Sequence, residues 1–201
     1  MHIVLVEPEI PQNTGSIARV CAGTGADLHL VGKLGFSLAD RYLKRAGLDY
    51  WPSVKLHLHE SLEAVQAMAS PEARFFYFSA RAEHVYTEIA FRDGDYLVFG
   101  KETTGLPAAL LSALVAEETP RVYGIPHAAT IRSLNLSNAV SIVLYEALRQ
   151  TGFAAVSRAR VVAEGAAGPA QPRRAEVGAV CAVRGERTIP NTPAQGDGVE
   201  S

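Results

Sequence analysis

The stretch HIVLVEPEIPQNTGSIARVCAGTG, residues 2–25, decides the fold class. Its first five residues are a short apolar run that reads as a buried strand. Two prolines and an Asn13-Thr14-Gly15 turn follow, and then a helical pattern over Ser16–Thr24. The same alternation recurs downstream. Strand-like runs lie at 27–31 (DLHLV), 74–79 (RFFYFS), 95–100 (DYLVFG) and 121–126 (RVYGIP). Helical patterns cover Leu38–Ala46, Ser61–Ala69, Pro107–Ala113 and Ser137–Gln150. The last of these starts at a Ser/Asn cap candidate, keeps apolar spacing near 3.6, and ends with Arg149 and then Gly152. Continuous apolar strands alternating with helices predict an α/β fold: a mostly parallel sheet with helices on both faces.

A chain of 201 residues is long enough for one domain with a real core, and 48% hydrophobic with 20% charged residues is the composition of a globular protein. No apolar run approaches the ~20 residues of a membrane span, and no basic leader with a small-residue cleavage site is seen. The two cysteines, Cys21 and Cys181, are far apart, which predicts a reducing, cytoplasmic location rather than a disulfide framework. A net charge of −2 gives no global nucleic-acid signature. One local basic patch exists, Arg41, Lys44 and Arg45 in RYLKRAG, and a solvated helix face is its plainer reading. After residue 153 the composition shifts to Ala, Gly, Pro, Val and Arg without clear periodicity, so 1–153 reads as the functional domain and 154–201 as a flexible, low-complexity tail.

In a parallel sheet, ligands bind beyond the C-terminal ends of the strands. Three segments there are unusual: the opening loop, FGKETTGLP (99–107) and IPHAATIRSLNLSNA (125–139). In the first, Asn13 and Thr14 are good cap residues. Arg19 is harder to place, because its helix is otherwise small and apolar and an arginine there needs a carboxylate, a phosphate or solvent. Glu7 or Glu9 is the simplest partner. The second has the glycine spacing of a phosphate-binding loop but Leu-Pro where Lys-Ser/Thr is required, and no G-x-G-x-x-G follows any strand. The third carries Arg132, Ser133, Asn135, Ser137 and Asn138, more polar side chains than capping needs. His57 and His59 are the one close histidine pair, weak ground for a metal, and none is expected.

Taken together, NTGSIAR, GKETTGLP and IRSLNLSNAVSIVLYEALRQ resemble, in order and spacing, the three motifs of the SpoU branch of the SPOUT RNA methyltransferases. Across 1–153, EPEIPQNTG, KRAGLDYW and DGDYLVFGKETTGLP narrow the likeness to the tRNA (cytidine(34)-2′-O)-methyltransferase type. The resemblance implies a C-terminal deep trefoil knot, a homodimer, and S-adenosyl-L-methionine as cofactor. The implied reaction is methylation of the ribose 2′-hydroxyl of wobble nucleotide 34, cytidine or a modified uridine, in tRNA-Leu isoacceptors gripped at the anticodon stem-loop.

Carried over by motif, Phe78, Ser79, Gly100, Ile125, Ser133 and Leu134 would hold the cofactor. Glu102 and Asn135 would shape the reacting end, and Arg19 would reach across the dimer to the ribose and its phosphate. Arg132 is a candidate for RNA contact, with Tyr145, Arg41, Lys44 and Arg45 behind it; Tyr145 is equally compatible with a place in the core. Thr104 departs from the pattern, since relatives often carry arginine there. Two alternatives stay open: a SpoU enzyme acting on another tRNA position or on ribosomal RNA, and a knotted RNA-binding protein without catalysis.

Overall fold

Among the described residues seven strands make one sheet: β1 (His2–Val6), β2 (Asp27–Val31), β3 (Lys55–His59), β4 (Phe75–Phe78), β5 (His84–Val85), β6 (Tyr96–Phe99) and β7 (Val122–Gly124), in the order β3-β2-β1-β6-β4-β7-β5. Every strand pairing in it is parallel. The computed structural model describes residues 1–38, 50–153 and 156, within one compact unit, Met1–Arg160. The expected helix at Leu38–Ala46 and the expected tail at 154–201 lie outside the described residues except at Leu38 and Val156.

Alternation along each strand feeds two apolar layers. Ile3, Leu5, Leu28, Leu30, Phe76, Phe78, Leu97 and Phe99 point to one side, where α1 (Pro11–Thr24) adds Ile17, Ala18 and Cys21. The long C-terminal helix, residues 136–150, closes that layer with Val140, Val143, Leu144, Ala147 and Leu148. Val4, Val6, Val31, Tyr77 and Val98 point to the other side, under α2 (Leu62–Met68) and α3 (Ala108–Val115). With α4 as Leu136–Gln150, helices therefore cover both faces.

Three local expectations are corrected. The predicted Asn13-Thr14-Gly15 turn is helical: α1 starts at Pro11, and all three residues are buried inside it. Proline at the first helical position has no N–H to lose and a preset φ, so the helix starts there. The N-cap is then Ile10, with no side-chain cap, and neither Asn13 nor Thr14 plays that role. At α4 the cap is Asn135, whose side chain accepts from the Ser137 and Asn138 amides, rather than Ser137 or Asn138. Finally, β3 and β5 are strands outside the five expected apolar runs. They are the two sheet edges; β5 has two residues, and β3 reads Lys-Leu-His-Leu-His, without the apolar run of the central strands.

Those β3 histidines join a row of rings on the α2/α3 side of the sheet. The register sets His29 opposite His57 and Val31 opposite His59. His2 Nδ1 lies 3.1 Å from His29 Nε2, and His29 Nδ1 lies 2.9 Å from His59 Nε2. His57 Nε2 meets Asp27 Oδ1 at 2.9 Å, and His2 stacks on Tyr96. Each ring-to-ring link needs one N–H and one lone pair, so two neighbouring rings cannot both be imidazolium.

His29 is 1% exposed; burial, then the neighbouring His57, His2 and His59, lower its pKa to about 3. Burial also lowers His2 and His59. An unfolded histidine takes up its proton near pH 6.5. Between that value and about 3 the unfolded chain binds more protons than the folded one, so stability is complete above pH 6.5 and is lost as pH falls. We predict a drop in the urea midpoint between pH 7 and pH 5, with a slope of at most about 1.4 kcal/mol per pH unit for each such proton. His29→Asn should flatten that slope; an unchanged slope in the variant would contradict the assignment.

Candidate functional site

The chain walks outward from β1 to β2 and β3, and then lays β6, β4, β7 and β5 on the opposite side of β1. This reversal is a switch point, and because the strands are parallel the loops leaving β1, β4, β6 and β7 emerge at the same end of the sheet. The three unusual segments of the sequence are among them.

A carboxylate ties them together. Glu102, in the loop after β6, accepts at Oε2 from the Glu9 amide (2.8 Å) and at Oε1 from the Ile10 amide (3.2 Å) and Asn13 Nδ2 (3.0 Å). Asn13 Oδ1 in turn accepts from Asn135 Nδ2 at 2.9 Å. Glu102, Asn13 and Asn135 thus link the second, first and third segments in one chain of hydrogen bonds. Two further contacts close the first seam: Lys101 pairs with Glu7 at 2.6 Å, and Thr103 Oγ1 donates to Glu9 Oε2 at 2.7 Å. Bonds to a charged acceptor are the stronger kind.

The second segment folds back upon its own start. Lys101 and Gly105 form an antiparallel bridge, and a Cβ at Gly100 would overlap the backbone of Gly105 and Leu106. Gly105 itself holds φ of 74°, where a side chain is strained. Gly100 and Gly105 are therefore required by the loop's contact with itself.

Asn135 does two jobs at once. Its Oδ1 caps α4 and also accepts from Ser137 Oγ at 2.7 Å, while its Nδ2 reaches Asn13. In the same segment His127 Nδ1–H donates to the Ile125 carbonyl at 2.9 Å, which fixes the ring's tautomer.

Between the loops lies a cleft of about 530 Å³. Phe78 and Phe99, stacked at 4.7 Å between centroids, form an apolar wall. The predicted cofactor residues Phe78, Ser79, Gly100, Ile125, Ser133 and Leu134 all line it, as do Glu102, Asn135 and Arg132. Arg19 and Tyr145 do not line it. Arg19 is exposed on α1, its guanidinium 5.2 Å from the Tyr50 ring centroid. Neither expected carboxylate pairs with it: Glu7 holds Lys101 and Glu9 accepts from Thr103. Tyr145 is 52% exposed on α4, so it is not a core residue of this chain. Arg41, Lys44 and Arg45 lie outside the described residues.

Sequence reading missed the part of Asn13, which it took for a cap, and that of Lys101. Only their distant partners in the chain reveal those roles.

The family model described as the SpoU rRNA Methylase family matches residues 1–145. A tRNA (cytidine(34)-2′-O)-methyltransferase of Escherichia coli (strain K12) is 46% identical over 153 residues, covering 76% of this chain and 95% of its own length. One of the same name from Saccharophagus degradans is 48% identical over 155 residues, covering 76% and 97%. Among solved structures, one from work on the 2-OH methylation of C/U34 on tRNA is 49% identical, with TM-score 0.69 over 75% of this chain and 95% of the other. The SpoU methyltransferase AviRb from Streptomyces viridochromogenes, in complex with the cofactor AdoMet, is 26% identical, with TM-score 0.63 over 75% and 60%. With a matching family model over most of its length and relatives close to half identical across nearly their whole chains, this protein belongs to the SpoU methylase family.

Proposed function

We propose that this protein is an S-adenosylmethionine-dependent tRNA methyltransferase acting on the ribose 2′-hydroxyl of nucleotide 34. One observation carries the reading. The three family segments meet in a single cleft at the switch point of the sheet, joined by the Glu102–Asn13–Asn135 hydrogen bonds. Relatives named for this activity match nearly their full lengths.

The cleft suits the cofactor in size and chemistry. Its volume falls within the ~300–1,000 Å³ usual for such ligands, and apolar walls are interleaved with a few polar groups. Phe78, Ile125 and Leu134 would enclose the base, with Ser79, Gly100 and Ser133 near its polar edges. S-adenosylmethionine supplies a methyl group on a sulfonium, which is already activated for transfer. The chain's own task is alignment and charge. Glu102, with both oxygens engaged, is suited to hold the loops in place rather than to take a proton. Arg19 would clamp the phosphate beside the target ribose and stabilise the developing alkoxide. A guanidinium is a poor base, so the hydroxyl proton leaves through phosphate or water.

Arg19 stands outside the lining of its own cleft, which favours a homodimer in which it serves the partner's. Exposed Ile142 on α4 offers apolar surface for that contact. The insertion of β6 between β1 and β4, with the Gly100 loop folded tightly behind it, suits a deep trefoil knot. Arg132 at the cleft mouth, and Tyr145, would meet the anticodon stem-loop. Residues 1–153 would be the catalytic domain and 154–201 a tail outside it. No described helix is long and apolar enough to cross a membrane; a tRNA substrate favours the cytoplasm.

Nucleoside mapping of tRNA after incubation with the purified protein and S-adenosylmethionine tests the proposal, and a methyl group elsewhere than ribose 34 would redirect it to another RNA target. Arg19→Ala should lower transfer by roughly 10²–10³-fold, with thermal midpoint and cofactor affinity kept; wild-type turnover would remove its role. Glu102→Gln sets an amide donor against donors, so it should cost about 1.5–3 kcal/mol of stability and weaken cofactor binding measured by calorimetry. Unaltered binding and stability would show that the loops do not depend on it.

A further inference from the structure

Arg19 is held by Tyr50, in the stretch KRAGLDYW, to which no role has yet been given. Tyr50 sits just before the short 3₁₀ turn Trp51–Ser53, and that segment packs with Val54 against the α1/α4 core layer. Its hydroxyl donates to the Gly15 carbonyl at 3.0 Å, and its ring lies 5.2 Å from the Arg19 guanidinium carbon. These two contacts belong to one helical turn. In an α-helix the carbonyl of residue 15 accepts the amide of residue 19. Tyr50 therefore grips the base of the turn that carries Arg19 and, through its ring, the charged tip.

The kind of grip matters. A carboxylate partner would occupy the guanidinium's donors and cancel its field. An aromatic face attracts the cation while leaving the N–H edge able to meet an anion. Among the described residues no carboxylate pairs with Arg19, and Glu7 and Glu9 are engaged by Lys101 and Thr103. Burial raises the Tyr50 phenol above its ordinary value, against the opposing pull of Arg19, so it stays protonated and can donate.

We infer that Tyr50 is a positioning residue for methyl transfer: it fixes the direction of Arg19 while leaving its donors for the substrate. The inference rests on the role proposed above for Arg19, and the test separates the two. Single-turnover transfer is measured at saturating tRNA and S-adenosylmethionine, with cofactor affinity by calorimetry. Tyr50→Leu should lower the rate about tenfold with cofactor affinity unchanged. Tyr50→Phe, which keeps the ring, should stay within about threefold of wild type.

In the Arg19→Ala background, Tyr50→Leu should cause no further loss, because a residue acting through Arg19 has nothing left to position. A wild-type rate for Tyr50→Leu, or a full additional loss in the double variant, overturns the inference. Wild-type turnover in Arg19→Ala alone instead defeats the role of Arg19. Should Tyr50→Leu not fold, phenylalanines of increasing fluorination at position 50 replace it. The rate should fall as the ring face loses its negative charge, and a flat series refutes the positioning role.

Discussion

The site depends on one carboxylate. Glu102 follows β6, yet its oxygens are spent on amides and an amide side chain from the segment after β1, some ninety positions earlier in the chain. Asn13 passes the connection on to Asn135, which also caps the last helix. A loop is ordinarily the most mobile part of a fold. Here each of three loops is pinned by the others, and the last is rooted in α4, whose Val140, Val143 and Leu144 are fully buried. Order in the cleft is thus drawn from the core through a short run of polar contacts.

The sheet supplies the other half of the arrangement. Parallel strands send their outgoing loops to one end, and the reversal of strand order beside β1 opens the space between them. The apolar wall of the cleft, Phe78 over Phe99, is the last layer of the core carried out to the surface. Arg19 lies away from it, on α1 beneath Tyr50. The cleft wall and the exposed guanidinium therefore lie on different parts of the chain.

Much of this was legible from residue order. The five apolar strand runs all fall on observed strands, and the helices at 61–69, 107–113 and 137–150 appear within a residue or two of their expected limits. The residues expected to hold the cofactor line one cleft because they follow the ends of β4, β6 and β7, three parallel strands. What failed was local punctuation. Asn-Thr-Gly reads as a turn, but Pro11 upstream had already started the helix, and burial keeps those small residues in it. β3 lacks an apolar run because one of its faces is Lys55, His57 and His59, polar by composition, and the histidines pack as rings only once β2 lies alongside. Asn13 and Tyr50 could not be assigned in advance, since their partners are set by tertiary placement and not by spacing.

Strand order also constrains how the molecule is made. β6 occupies the slot between β1 and β4, and β7 the slot between β4 and β5, although all their neighbours precede them in the chain. During synthesis the inner edges of β1 and β4 have no partner until residues 96–99 have left the ribosome. Until then the nascent N-terminal half presents unpaired backbone to whatever surrounds it. Completion of the sheet waits for late, long-range insertions, the slow kind of contact in folding, so a truncated translation product ending before β6 would be the aggregation-prone form of this protein.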